Sequence, residues 1–319
     1  MSSKTPSTGA RVSTPGPRRR VALRRQLAEC VLLPAIGAAL PWPIAWRVLR
    51  GLAARAGLFD DETMRAQRTC DAQRFVHDRP AWLQRHRLTR MVDQADAAIS
   101  ATRGDRWMVR HLVVEGDALP AGPCVFVGFH YGTGFWSLRH LRRLGHPVSF
   151  LSAPIDAAQW RGEPLRLAFM RWRQKRVAGA GGAPIVYVGG SADRIRAALR
   201  SGTSVLALID VPEPTTPTVT VRLLEHDVQF PDGILRIGAA ERVPIFGYLA
   251  SLDARDGTRC LRFTRLPDDP TQALHALAAM LDAAIRRDPA AWHFWGEWPR
   301  FAKRVRSESA GESGIAGLR

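Results

Sequence analysis

The run Cys124-Val-Phe-Val-Gly-Phe129 is apolar from end to end, breaks at His130, and meets Gly132 and Gly134 before apolar residues resume at helical spacing. A short run rich in Val and Phe, without polar alternation, fits a strand covered on both faces, as in a parallel sheet. The two glycines supply a sharp turn, and Phe135, Leu138, Leu141 and Leu144 then mark one side of a helix. A buried strand that leads straight into a helix restricts the chain to a few architectures, chiefly helix-covered sheets. The same stretch puts an imidazole at the carboxyl end of a strand, where open α/β sheets hold their ligands. Imidazole also suits proton transfer near neutral pH. A histidine satisfied within a loop is the plainer reading of the same residues.

From residue 107 onward the pattern alternates. Strands are predicted over 107–114, 124–129, 148–151, 185–188 and 204–209, with helices over 134–144, 163–176 and 191–200. A hairpin at 219–223 and 228–230 precedes a helix at 234–241, strands at 244–251 and 258–264, and an amphipathic helix at 271–286. This order predicts an α/β fold whose mainly parallel mixed sheet is covered by helices. Residues 61–103 are polar and rich in arginine, and read as two or three surface helices. The organisation expected is a basic disordered tail (1–25), an apolar membrane-associating segment (26–60), one α/β domain (61–303) and a flexible tail (304–319).

Charge narrows the partners. Lys and Arg number 46 against 29 Asp and Glu, a net charge of +17, so an acidic partner is expected. Zinc-ligand spacing, an RNA-binding aromatic signature and a helix-turn-helix are all missing from the sequence, which argues against nucleic acid. An anionic membrane surface or an acidic carrier protein fits better. The four cysteines, Cys30, Cys70, Cys124 and Cys260, form no C-x-x-C pair and read as buried thiols of a reducing compartment. The uncharged stretch 30–46 barely reaches the ~17 residues of the shortest spanning helix, and Pro34, Pro41 and Pro43 interrupt it. It reads as a broken, partly inserted hairpin with Trp42 and Trp46 at headgroup depth and arginines on anionic lipid. A helical cap on the main core is the alternative.

Several segments, taken in order, carry a resemblance: His130-Tyr-Gly-Thr-Gly-Phe-Trp136, then Leu144-Gly-His-Pro-Val-Ser-Phe-Leu151, then Leu199-Arg-Ser-Gly-Thr-Ser-Val-Leu-Ala-Leu-Ile-Asp210. Pro231-Asp-Gly-Ile-Leu-Arg-Ile-Gly-Ala239, Glu241-Arg-Val-Pro-Ile-Phe246 and Asp288-Pro-Ala-Ala-Trp292 complete the series. Over about 107–301 the chain resembles the bacterial lipid A late acyltransferases, the lauroyl and myristoyl transferases of the lysophospholipid acyltransferase superfamily. The resemblance implies a glycerolipid acyltransferase-like fold at the cytoplasmic face of an inner membrane. It implies transfer of a fatty acyl chain from acyl carrier protein or a coenzyme A thioester to a hydroxyl or amine of a lipid-like acceptor. No metal or bound cofactor is implied, the acyl thioester being a co-substrate.

The family motif is a histidine, four residues, then Asp or Glu. His130 fills the first place and Phe135 the second. In the family the histidine takes a proton from the acceptor while the acid orients it, so Phe135 leaves His130 in need of another carboxylate. Asp210, at the end of the strand 204–209, and Glu297 are the candidates, with Glu213 close by. Gly132, Thr133 and Gly134 are predicted to form an oxyanion-holding turn. Trp136, Arg139, Asp156 and Arg236 are the candidates for substrate contact; Arg139, Arg142 and Arg143 share the polar side of the helix after His130, where they either meet a phosphate or an acyl carrier or form a plain solvated face. Five of the ten tryptophans, at 136, 160, 292, 295 and 298, either line an acyl groove or pack the core. The competing reading, carried by Phe135 alone, is a catalytically inactive homologue that binds acyl chains or acyl carrier protein.

Overall fold

Valines and phenylalanines that have no water to face put one four-residue strand at the centre of the molecule, buried along its whole length. The computed structural model describes residues 17–55, 57–211 and 217–300, with side chains from residue 22. Its strands are β1 (Leu112–Gly116), β2 (Val125–Gly128), β3 (Val148–Ser152), β4 (Val186–Tyr187), β5 (Ser204–Leu208), β6 (Thr218–Leu223), β7 (His226–Pro231), β8 (Ile245–Leu252) and β9 (Arg259–Arg265). Seven of them form one sheet in the order β1-β9-β8-β2-β5-β3-β4, and β6 and β7 pair apart as an antiparallel hairpin. From β8 to β4 every pairing is parallel, while β9 runs antiparallel to β8 and parallel to β1. The fold is therefore α/β, with a mostly parallel mixed sheet.

Helices α1 (Pro17–Leu27), α2 (Leu33–Ala39), α3 (Trp42–Ala53), α4 (Asp60–Ala72), α5 (Arg79–Thr102) and α6 (Asp105–His111) precede the sheet. Helices α7 (Phe135–Arg143), α8 (Pro164–Gly181), α9 (Ala192–Arg200), α10 (Gly233–Ala240) and α11 (Pro270–Arg287) cover it. Along β2 the side chains alternate between two cores. Val125 and Val127 join Leu235 of α10 and Leu274 and Leu277 of α11 on one face. Phe126 joins Leu138 and Leu141 of α7 on the other. This is the two-sided burial that the apolar run requires.

Three expectations need correction. The stretch 30–46 is not a partly inserted hairpin but part of a helical cap, with Leu33, Ala45, Trp46 and Leu49 packed on Met91, Val92, Ala95 and Ile99 of α5. Trp42 and Trp46 do not stand at headgroup depth; both are buried, and their indole N–H groups donate to the carbonyls of Asp256 and Arg255 at 3.0 and 2.9 Å. Among the described residues no helix is long and apolar enough to cross a membrane. Helix α5 is no surface helix, because its polar side chains find partners inside: Arg87 pairs with Asp60 at 3.0 Å, Asp96 with Arg259, and His86 with the Ala290 carbonyl at 2.8 Å. The strand predicted at 107–114 begins instead as α6, where the Trp107 and His111 rings, one helical turn apart, meet tilted by 46° with centroids 4.5 Å apart.

The tail expected over 1–25 is helical from Pro17. Residues 1–16, Glu213 and the C-terminal tail 304–319 lie outside the described residues.

Candidate active site

Register brings the two ends of the site together. Strands β2 and β5 are parallel neighbours with Gly128 opposite Leu208, so two residues beyond each strand His130 faces Asp210. Asp210 is wholly buried and accepts three donors. The His130 peptide N–H reaches both carboxylate oxygens at 3.0 and 2.9 Å, the His130 ring nitrogen Nδ1 donates at 2.8 Å, and the Trp292 indole N–H donates at 2.9 Å. A carboxylate only accepts, so it selects the imidazole tautomer with hydrogen on Nδ1 and a bare lone pair on Nε2. No described residue hydrogen-bonds Nε2, and the His130 side chain is 33% exposed. The Phe294 ring covers part of the imidazole, with centroids 4.5 Å apart.

The turn after β2 is stitched to the segment after α11. Gly132 N–H donates to the Ala291 carbonyl at 2.9 Å, and His293 N–H donates to the His130 carbonyl at 2.9 Å. His293 Nε2 donates to the Gly132 carbonyl at 2.8 Å. Burial pushes the His293 imidazole down to about 4, so near neutral pH it carries one ring proton, which the Gly132 carbonyl, only an acceptor, holds on Nε2. Gly132 adopts φ 65°, and a Cβ there would stand 2.0 Å from the Ala250 carbonyl oxygen. No other residue type fits.

The remaining predicted residues separate. Asp210 joins His130; Glu297 does not, its carboxylate accepting from Arg300 at 2.8 Å. Within the predicted oxyanion turn the Gly132 amide is already taken, whereas the amides of Thr133 and Gly134 make no hydrogen bond among the described residues. The Thr133 hydroxyl is buried without a partner.

Trp136 is not on a substrate surface but fully buried in the cluster formed with α3 and α5. Arg139 is held by Asp105 at 2.7 Å and by the Ser100 and Arg103 carbonyls at 2.9 and 2.7 Å. Asp156 accepts from Ala158 N–H at 2.8 Å and starts a short 3-10 turn. Arg236 pairs with Asp232 at 3.2 Å on the exposed side of α10. Of the five tryptophans proposed for an acyl groove, Trp292, Trp295 and Trp298 pack edge to face as core. Trp160 lines a cleft of about 230 Å3 that His293 borders together with Phe59 and Met170.

His293 and Phe294 are not among the site residues that the sequence singles out. Both lie in the aromatic stretch 292–298, whose density was the available signal. Among the described residues no cluster of three His, Cys, Asp or Glu side chains could hold a metal ion. Compared with models of known protein families and with curated proteins, the chain matches none.

Proposed function

We propose that this chain is an acyltransferase working at a membrane surface, as its likeness to the lipid A late acyltransferases implies. The single observation that carries the reading is the His130–Asp210 pair, with Nδ1 held at 2.8 Å and Nε2 open. In the proposed reaction Nε2 takes the proton of an acceptor hydroxyl or amine as the acceptor atom bonds to the carbonyl carbon of an acyl thioester. The oxyanion so formed meets the free amides of Thr133 and Gly134. It collapses with cleavage of the C–S bond, and the imidazolium returns its proton to the departing thiolate. Asp210 steadies the imidazolium and so does the work that Phe135 leaves undone, which favours an enzyme over a binding-only homologue.

The donor is acyl carrier protein or coenzyme A, and the acceptor a lipid-like molecule at the cytoplasmic face of the inner membrane. In support of surface attachment, Leu23, Leu27 and Val31 recur every fourth residue and stand exposed, as do Leu32, Ile44 and Val48, with Arg24 and Arg47 among them. The test is acyl transfer from radiolabelled carrier-protein and coenzyme A thioesters into a total lipid extract. The reading expects transfer by wild type and none by His130→Ala. It fails if wild type transfers nothing from either donor, and activity gained only by Phe135→Glu would identify a binding protein.

A further inference from the structure

Phe135, the residue standing where the acyltransferase motif has an acid, is largely buried and lines a groove of about 470 Å3 between α5, α7 and α8. Four arginines share that lining: Arg139, Arg142, Arg143 and Arg176. Asp105 is the only carboxylate among them, so three positive charges are left over. Two of the guanidinium groups are preset. Arg139 is fixed by Asp105 and by the carbonyls at the end of α5, and Arg142 by the Gly179 carbonyl at 2.8 Å near the end of α8. Helix-end carbonyls carry only partial charge and do not cancel a guanidinium. Arg143 and Arg176 are exposed and make neither an ion pair nor a hydrogen bond among the described residues. The apolar part of the lining comes from Phe135, Ala97, Ala101 and Ala180.

We infer that this groove binds a phosphate ester of an amphiphile, with the phosphate on the arginines and the apolar part against Phe135. Guanidinium groups fix phosphate oxygens by paired, directional hydrogen bonds, and several of them suit a dianion. The inference also explains position 135. An acid there would stand in the groove and neutralise part of it, whereas Asp210 already serves His130 from another strand. The groove is distinct from the His130 site and does not depend on the chain being an acyltransferase.

Titration calorimetry in phosphate-free buffer tests it with dodecyl phosphate below its micelle-forming concentration. The expected result is saturable binding, weakened at least ~10-fold by the joint substitution Arg143→Ala/Arg176→Ala, as befits lost charge-assisted hydrogen bonds. Both positions are exposed, so the fold should tolerate the change; Phe135→Glu is expected to weaken binding as well. Binding of inorganic pyrophosphate that needs the same two arginines points to a soluble phosphoester. Binding confined to phosphatidic acid vesicles, with that dependence, points to a lipid headgroup. Both results uphold the site. An unchanged affinity in the double variant, equal binding of dodecanol, or no binding of any phosphate probe overturns it.

Discussion

Asp96 and Asp210 are both withdrawn completely from water, yet the protein holds them there by opposite means. Asp96 meets a full cation, Arg259, whose guanidinium lies 4.0 Å from the Trp42 ring centre and 5.3 Å from that of Trp107. Charge is balanced, the flanks are aromatic, and nothing in the arrangement can change. Asp210 meets a peptide N–H, an indole N–H and an imidazole, all donors without a fixed charge. Its negative charge is solvated but not cancelled, so it remains to attract the positive charge that His130 acquires on taking a proton. Two carboxylates of equal burial thus divide the labour. One ties α5 to β9, and the other is available for chemistry.

The sharpest way to break this contrast is to remove one carboxylate at a time. Asp210→Asn should cut acyl transfer by about ten-thousandfold, because an amide that donates to Nδ1 stabilises the wrong tautomer. The melting temperature should fall little, since one acceptor oxygen stays in place. If transfer survives, His130 has another partner and the proposed mechanism is wrong. Asp96→Asn should do the reverse, leaving Arg259 buried beside a neutral group at a cost of about 3–5 kcal/mol in urea unfolding. Activity per folded molecule should hold, and a selective loss of activity would show that the two regions are coupled.

How far these roles can be read from the sequence differs between the two carboxylates. The apolar run ending at His130 and the acid ending the strand after α9 are local patterns, so Asp210 was among the residues named. What a linear reading lacked was the pairing of β2 with β5 in a register that sets 128 against 208. That pairing depends on crossovers through α7, α8 and α9, and without it Glu297 looked equally eligible. Asp96 was invisible for another reason. Polar side chains normally mark a solvated helix face, and α5 violates that rule only because partners for His86, Arg87 and Asp96 arrive from segments between 27 and 204 residues away in sequence. The same non-local logic buried Trp42 and Trp46, whose indole partners lie in the turn before β9.

Acid should separate the regions by a smaller amount. Burial depresses the His293 imidazole to about 4 and pushes His86 well below its usual value. Between pH 6.5 and 4 the unfolded chain therefore binds protons that the folded chain refuses, and stability falls as pH falls. For His293 the full interval is worth on the order of 3 kcal/mol. Both imidazoles brace the segment after α11, so the Asp210 side should loosen first. Hydrogen exchange at pH 7 and pH 5 should show residues 289–295 losing protection before residues 91–99. Equal loss in both segments would mean that these two histidines do not set the acid response.

The finest comparison exchanges one tryptophan in each region for phenylalanine. Trp292 acts on Asp210 through its indole N–H at 2.9 Å, and phenylalanine has no such donor. Trp107 acts on Arg259 through the face of its ring, which phenylalanine keeps. Trp292→Phe should therefore lower acyl transfer by about tenfold, the worth of one hydrogen bond to a charged acceptor. Trp107→Phe should leave transfer unchanged and cost at most about 1 kcal/mol of stability. Should the two variants transfer equally well, the indole contributes packing alone, and Asp210 is held for its task by the His130 backbone and ring without help from the aromatic segment.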